Sequence, residues 1–264
     1  MVPVVPGFFV RLLRVRVTMA YAVIVTGVTM ALLFLGPQIH DRVIRHASTN
    51  LHNLSHGRIA TLFDSAFVVD AGPIYLWLPG LMCLMALVEL QWGSGRLVLA
   101  FVVGHVGATL LVALGLTAAI ERGWLPGSLT RATDVGMSYG AAAVLGSLTA
   151  AIPRRWRPAW IGWWLAVGIV VIVLRRDFTD VGHAVALGLG MLVSTRFGEA
   201  AQWSRAAIAL LGVGASFGFL LLANGGPYLA TVTACGLLGA VVFGVVVSRT
   251  THGYAIESPS EYRL

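Results

Sequence analysis

The chain has 264 residues, 58% hydrophobic and only 11% charged, with a mean hydropathy of +0.85. A soluble domain carries about 25% charged residues, so this chain cannot cover itself with polar surface and water is not its main solvent. The formal charge is +7 and every basic residue is arginine, but the arginines gather at the ends of apolar runs, which fits membrane topology rather than nucleic-acid binding.

A membrane-spanning helix needs about 20 mostly apolar residues, and uncharged windows mark the candidates. The first is 17–40, opening VTMAYAVIVTGVTMALLFLG. The arginines ahead of it imitate the start of a secretory signal, but the run is long enough to span. The segment 41–70 is too polar to span and too apolar for a disordered linker, so it reads as a folded outer loop with short interfacial helices. Its histidines, His40, His46, His52 and His56, have spacings compatible with a metal, but no Cys or carboxylate cluster joins them, and no metal or other cofactor is expected.

The second window is 71–88, AGPIYLWLPGLMCLMALV, and the third is 97–120, LVLAFVVGHVGATLLVALGLTAAI. The fourth, 135–153, surrounds TDVGMSYGAAAVLG. The fifth, 158–174, is flanked by Trp156, Trp160, Trp163 and Trp164 as interfacial anchors. The sixth, 181–195, reads VGHAVALGLGMLVST and should begin a few residues earlier. The last window, 206–248, is too long for one span, and ANGGP at 223–227 divides it in two. Cys83 and Cys235 sit inside apolar runs and form neither a metal spacing nor a disulfide framework.

With the N-terminus inside, eleven arginines fall on the inner face and seven on the outer. The compact RRWR loop at 154–157 is the strongest vote, because short loops near span ends carry the positive-inside rule. The fourth and sixth spans then both descend from the outer face. Ser138 follows Asp134 and sits about 6 Å below the start of the fourth span, and His183 follows Asp180 and sits about 4.5 Å below the start of the sixth. Equal depth permits a nucleophile–base contact. Gly136, Gly140 and Gly146 on one span, and Gly182, Gly188 and Gly190 on the other, would let the two backbones approach closely. Serine in a membrane helix more often bonds a backbone carbonyl, and His105 in the third span has the same claim to function as His183. Residue types alone do not choose between them.

At these residues the sequence resembles a known family. VGMSYGAAAVLG resembles the Gly-x-Ser-Gly segment that opens the fourth helix of the rhomboid intramembrane serine proteases, and GHAVALGLG resembles their sixth helix. GRIATLFDSAF and LVELQWGSGRLVLAFVVGHVGATLL resemble the entry to helix two and the helix two to three junction, with its glutamate and glycine. The resemblance covers residues 57 to 193 in the family's order, and is nearest to divergent actinobacterial rhomboid-like membrane proteins.

The resemblance implies an all-α polytopic membrane protein. A rhomboid-like six-helix domain would occupy 1–196, two additional C-terminal transmembrane helices 197–249, and a loose cytoplasmic tail 250–264. It implies a multi-pass protein of the plasma (inner) membrane with a cytoplasmic N-terminus. Ser138 would be the nucleophile and His183 the base, without a cofactor or metal, acting on transmembrane protein substrates in the lipid bilayer and not on nucleic acid. In rhomboids a substrate helix enters near helices two and five. The histidine and asparagine that hold the oxyanion on the family's helix two are Tyr75 and Pro79 here, so Tyr75 and Gly136 are the candidate oxyanion residues. Pro79 removes a backbone donor, predicting a bend near Tyr75 that either widens the gap where a substrate helix enters or re-aims Tyr75 toward Ser138. The glycine after the family serine is Tyr139, and the aromatic that packs on the family histidine is Ala142; Tyr139 is expected to point elsewhere.

These departures raise an alternative, a rhomboid-fold pseudoprotease that binds transmembrane helices as clients without cutting them. A transporter reading would use His105, Glu89 and Asp70 as a proton path, although Asp70 and Glu89 fall at span ends, where charges are tolerated.

Overall fold

The computed structural model describes residues 14–69, 74–224 and 226–256, the last seven by backbone alone. The described residues are helical throughout, without a strand. The long helices are α1 (Arg16–Leu35), α5 (Ile74–Trp92), α6 (Ser94–Glu121), α8 (Arg157–Arg175), α10 (Arg205–Ala223) and α11 (Leu229–Ile256). All six are long and apolar enough to cross a membrane. Two shorter helices complete the set: α7 (Ser138–Ser147), extended by a 3₁₀ turn at Leu148–Ala150, and α9 (Phe178–Ser194). The eight apolar windows read from the sequence fall on α1 and α5–α11, six of them long enough to cross a membrane, in a multi-pass membrane protein.

Between α1 and α5 lies the expected folded loop, with α2 (Pro37–Ala47), α3 (Leu51–Ser55) and α4 (Thr61–Asp64). Gly36 at φ +86° and Pro37 end α1 and start α2. The loop closes on the bundle through Leu32, Ile44, Ala47 and Val68. Polar groups fix its path. Asn53 Nδ2 donates to Arg45 O at 3.1 Å and Ser48 O at 2.8 Å, and Asn50 caps α3 by accepting from the Asn53 amide at 2.9 Å.

Glu89 anchors the start of α1. Its carboxylate accepts from the amides of Val17 and Thr18, both at 2.9 Å, from Thr18 Oγ1 at 2.8 Å and from Ser94 Oγ at 2.7 Å. A carboxylate on the free first-turn amides of a helix satisfies donors that have no intrahelical partner and complements the helix dipole. Glu89, 2% exposed, is therefore a structural cap on the start of α1. Asp70 lies outside the described residues.

The short helix α7 is the centre of the bundle, and Tyr139 through Ser147 are all buried. A helix buried on every side must be apolar on every side, and SYGAAAVLGS meets this with small residues. A Cβ on Gly146 would run into the Leu187 carbonyl of α9, and one on Gly190 of α9 would run into the Ala143 carbonyl. Such backbone approach drives helix association in lipid, where apolar burial supplies no net force. Tyr139 meets Gly182 near the start of both helices, and Gly146 meets Leu187 and Met191 further along both, so α7 and α9 run parallel and start at the same end.

The two C-terminal helices differ in placement. In α10, Phe217 fills the space beside Gly80 of α5, Gly218 faces Leu145 of α7, and Phe219 meets Trp163 of α8 at 5.9 Å between ring centroids. Three successive residues touch three helices, so α10 wedges between α5 and α8 and adds Ala207, Leu222 and Ala223 to the core. Helix α11 lies along α8, with Gly162 and Gly239 at the crossing. It runs on to Ile256, so the start of the expected loose tail is helical; residues 257–264 lie outside the described ones.

Candidate active site at the start of helix α7

The entry to α7 is built by the outer loop. Thr49 donates its amide to Asp134 O at 2.9 Å, Asp134 donates its amide to Ser48 Oγ at 2.9 Å, and Gly136 donates its amide to Ser65 O at 2.8 Å. Gly136 has φ +115°, a conformation that a side chain would strain, and it turns the chain so that Ser138 becomes the first residue of α7. The Ser138, Tyr139 and Gly140 amides precede the first backbone bond of the helix, Ala141 N to Met137 O at 2.8 Å. They form the positive end of the α7 dipole.

His183 sits on α9, 7% exposed, with no hydrogen-bond partner at either ring nitrogen. Ser138 Oγ is therefore not bonded to it. The side chain that touches the imidazole is Tyr139, whose ring meets it edge-on with centroids 5.3 Å apart and planes at 84°. Gly182 makes this possible, because a Cβ there would overlap the phenol. The expectation that Tyr139 points elsewhere is corrected. One residue past the serine, its side chain crosses the α7–α9 seam, where glycine on α9 leaves a slot. The Tyr139 hydroxyl makes no hydrogen bond of good geometry. Above the site, Arg175 Nε lies 3.1 Å from Asp180 Oδ2, and Asp177 caps α9 by accepting from the Thr179 amide at 2.9 Å. In the loop ahead of α7, burial pushes the Asp134 carboxyl up to about 7, with repulsion from Asp177 adding to it.

The two oxyanion candidates stand elsewhere. Tyr75 is 72% exposed on the first turn of α5, and the helix runs on through Pro79. Of the two outcomes expected of a bend, an inward Tyr75 is not seen: its position in the first turn points it away from the core. The Gly136 amide is engaged by Ser65 O. Free donors near the serine are those of the first turn of α7 itself.

The structure also holds a bonded serine–histidine pair that the sequence did not mark. Ser65 Oγ lies 3.1 Å from His105 Nε2 and accepts from Thr49 Oγ1 at 2.9 Å, with Ser65 and His105 2% and 4% exposed. This chain ties the outer loop to α6. Only the loop fold brings Ser65 to His105, forty positions away, so no local motif announces it.

A family model described as rhomboid-like protein matches residues 9–198. No curated protein and no solved structure gives a significant match to the chain. With about three quarters of its length inside that match, the chain belongs to the rhomboid-like protein family.

Proposed function

We propose that this rhomboid-like membrane protein is an intramembrane serine endopeptidase, with Ser138 as nucleophile and His183 as base. The observation that carries the reading is the buried imidazole of His183, which lacks a partner at both nitrogens beside the start of α7. Buried polar groups are nearly always hydrogen-bonded, and an orphan calls for an explanation. His105 is what a structural histidine looks like here, tied to Ser65. His183 is oriented by the Tyr139 ring and left free to accept a proton.

In the reaction, Ser138 Oγ attacks the scissile carbonyl carbon as its proton passes to His183, and the first-turn amides of α7 face the developing oxyanion. The imidazolium then protonates the departing amine. Water, deprotonated by His183, then attacks the acyl carbon, and the acyl–Oγ bond breaks as the imidazolium returns its proton to Ser138. The serine–histidine bond is absent at rest and forms as substrate enters, which agrees with the loose geometry of many unliganded sites. Substrates are transmembrane proteins. The arginine distribution supports a cytoplasmic N-terminus in the inner membrane, with the site on the outer side.

A second reading, binding of client helices without cleavage, is favoured by Tyr75 standing on the surface and by α10 lying between α5 and α8, near where a rhomboid substrate enters. Purified protein in liposomes with a panel of single-span substrates separates the two. The protease reading expects fragments from the wild type and none from Ser138→Ala. Intact substrates that crosslink equally to both proteins would establish the client-binding reading instead.

A further inference from the structure

At the end of α7 opposite Ser138 lies a basin of about 1110 Å³. Its origin is the shortness of α7. Ten α-helical residues and a 3₁₀ turn span roughly 20 Å, against a hydrocarbon core of about 30 Å. Helices α8 and α9 continue past the end of α7 and leave an opening between them, bounded by the 198–203 segment.

The floor of the basin is polar and incompletely bonded. Thr149 is 6% exposed and lines it, yet its Oγ1 has no partner. Arg157 donates through Nη2 to Ala150 O at 2.9 Å and Ile152 O at 3.2 Å, capping the end of the α7 unit, while its buried Nε has no partner. Arg154 also lines the basin. Among the described residues the only ion pairs are His40–Asp41 and Arg175–Asp180, so neither arginine is neutralised by a carboxylate, Glu199 in the basin wall included. The basin also opens at the N-terminal, positive end of α8. Its sides are apolar, formed by Ile161, Met191 and Leu192, the last 66% exposed at the rim.

We infer that this basin binds the phosphate group of an anionic phospholipid, with Arg154, Arg157 and Thr149 on the headgroup and the acyl chains leaving past Ile161 and Leu192. Phosphate chemistry accounts for two guanidinium groups without a carboxylate partner and for the orphan hydroxyl. The apolar wall distinguishes a lipid from free phosphate, and a basic pocket between transmembrane helices is a recognised form of headgroup site. The site is separate from Ser138 and stands whether or not the chain cuts substrates.

Native mass spectrometry of the intact protein in maltoside micelles tests this, using phosphatidylglycerol, phosphatidylcholine of the same chains, and inorganic phosphate. The expected result is one saturable phosphatidylglycerol adduct, retained over phosphatidylcholine and not displaced by equimolar phosphate. Arg154→Gln and Thr149→Val should each weaken it about fivefold, as expected for one charge-assisted or one neutral hydrogen bond, while Arg42→Gln in the outer loop leaves it unchanged. Among the described residues the Arg154 side chain makes no hydrogen bond or ion pair, and Val is isosteric with Thr, so both variants should keep the wild-type thermal midpoint in phosphatidylcholine micelles. Equal retention of both lipids, displacement by phosphate, or wild-type affinity in both variants would overturn the inference.

Discussion

Tyr139 holds His183 by an edge-to-face contact, with ring centroids 5.3 Å apart and planes at 84°, across a slot that exists because residue 182 is glycine. Such a contact contributes about 0.5–1.5 kcal/mol beyond the area it buries, enough to favour one orientation of a ring that has no hydrogen bond to set it. Tyr139→Ala should therefore lower kcat by about 10- to 100-fold, since misplacing a catalytic group by an ångström costs on that order. The phenol hydroxyl lies beside the Thr179 side chain but makes no hydrogen bond of good geometry, so Tyr139→Phe should stay within about threefold of wild type. Equal loss in both variants, measured as initial cleavage rates, would point to the hydroxyl and away from the ring.

The α7–α9 seam makes a sharper stability prediction. A methyl group at Gly146 or Gly190 meets backbone carbonyls, which cannot turn aside, whereas one at Gly188 meets nothing within 4 Å. Gly146→Ala and Gly190→Ala should each cost about 3 kcal/mol or more, at the upper end of overpacking, and Gly188→Ala should be near neutral. Unfolding in mixed micelles with increasing dodecyl sulfate measures all three. Similar midpoints for the set would mean that the close approach contributes little.

Glu89 receives four donors while nearly fully buried. Glu89→Ala leaves them unsatisfied and should cost about 3–5 kcal/mol. Glu89→Gln retains the shape but sets an amide N–H₂ against donors, and should cost about half as much. Hydrogen exchange should show the loss first at the start of α1. Protection unchanged there would rule out the capping role.

The Asp134 carboxyl is raised to about 7, mainly by burial. A carboxyl whose folded pKa exceeds its unfolded value of about 3.9 is favoured in its protonated form by the fold. Its effect on stability is nil well below pH 4; stability then falls as pH rises from about 4 to about 7 and stays lower above that. The thermal midpoint in micelles should be lower at pH 8 than at pH 5, by the equivalent of about 2 kcal/mol after allowance for partial solvation. Asp134→Asn should remove most of the difference. A wild-type midpoint that does not fall over this range, or a variant with the same slope, would contradict the assignment.

Much of the architecture was legible in the sequence because lipid imposes simple rules. Uncharged runs marked α1 and α5–α11, and Gly-Gly-Pro marked the division between α10 and α11. Counting residues below Asp134 and Asp180 expected Ser138 about one turn inside its helix, whereas α7 begins at Ser138 itself and His183 is the sixth residue of α9; the glycines on both spans foretold the close approach of the two helices. What could not be read depended on direction around a helix. Tyr75 and Tyr139 each occupy a position whose meaning is set by which neighbour leaves room, and Gly182 opens a slot only because α9 lies beside α7. The Ser65–His105 bond and the Gly136–Ser65 bond depend on the outer loop folding back on the bundle. The wedge of α10 between α5 and α8 depends on Gly80, Gly214 and Gly218, small residues whose partners lie more than 70 positions away.

The central claim is that Ser138 is a nucleophile activated by His183, and covalent labelling of the intact protein with a fluorophosphonate, read by peptide mass spectrometry, tests it most directly. The account predicts one adduct, on Ser138, absent in Ser138→Ala, abolished or slowed by about 1000-fold or more in His183→Ala, and slowed about tenfold or more in Tyr139→Ala. No adduct on Ser138 in the wild type, or labelling of His183→Ala at the wild-type rate, would contradict it.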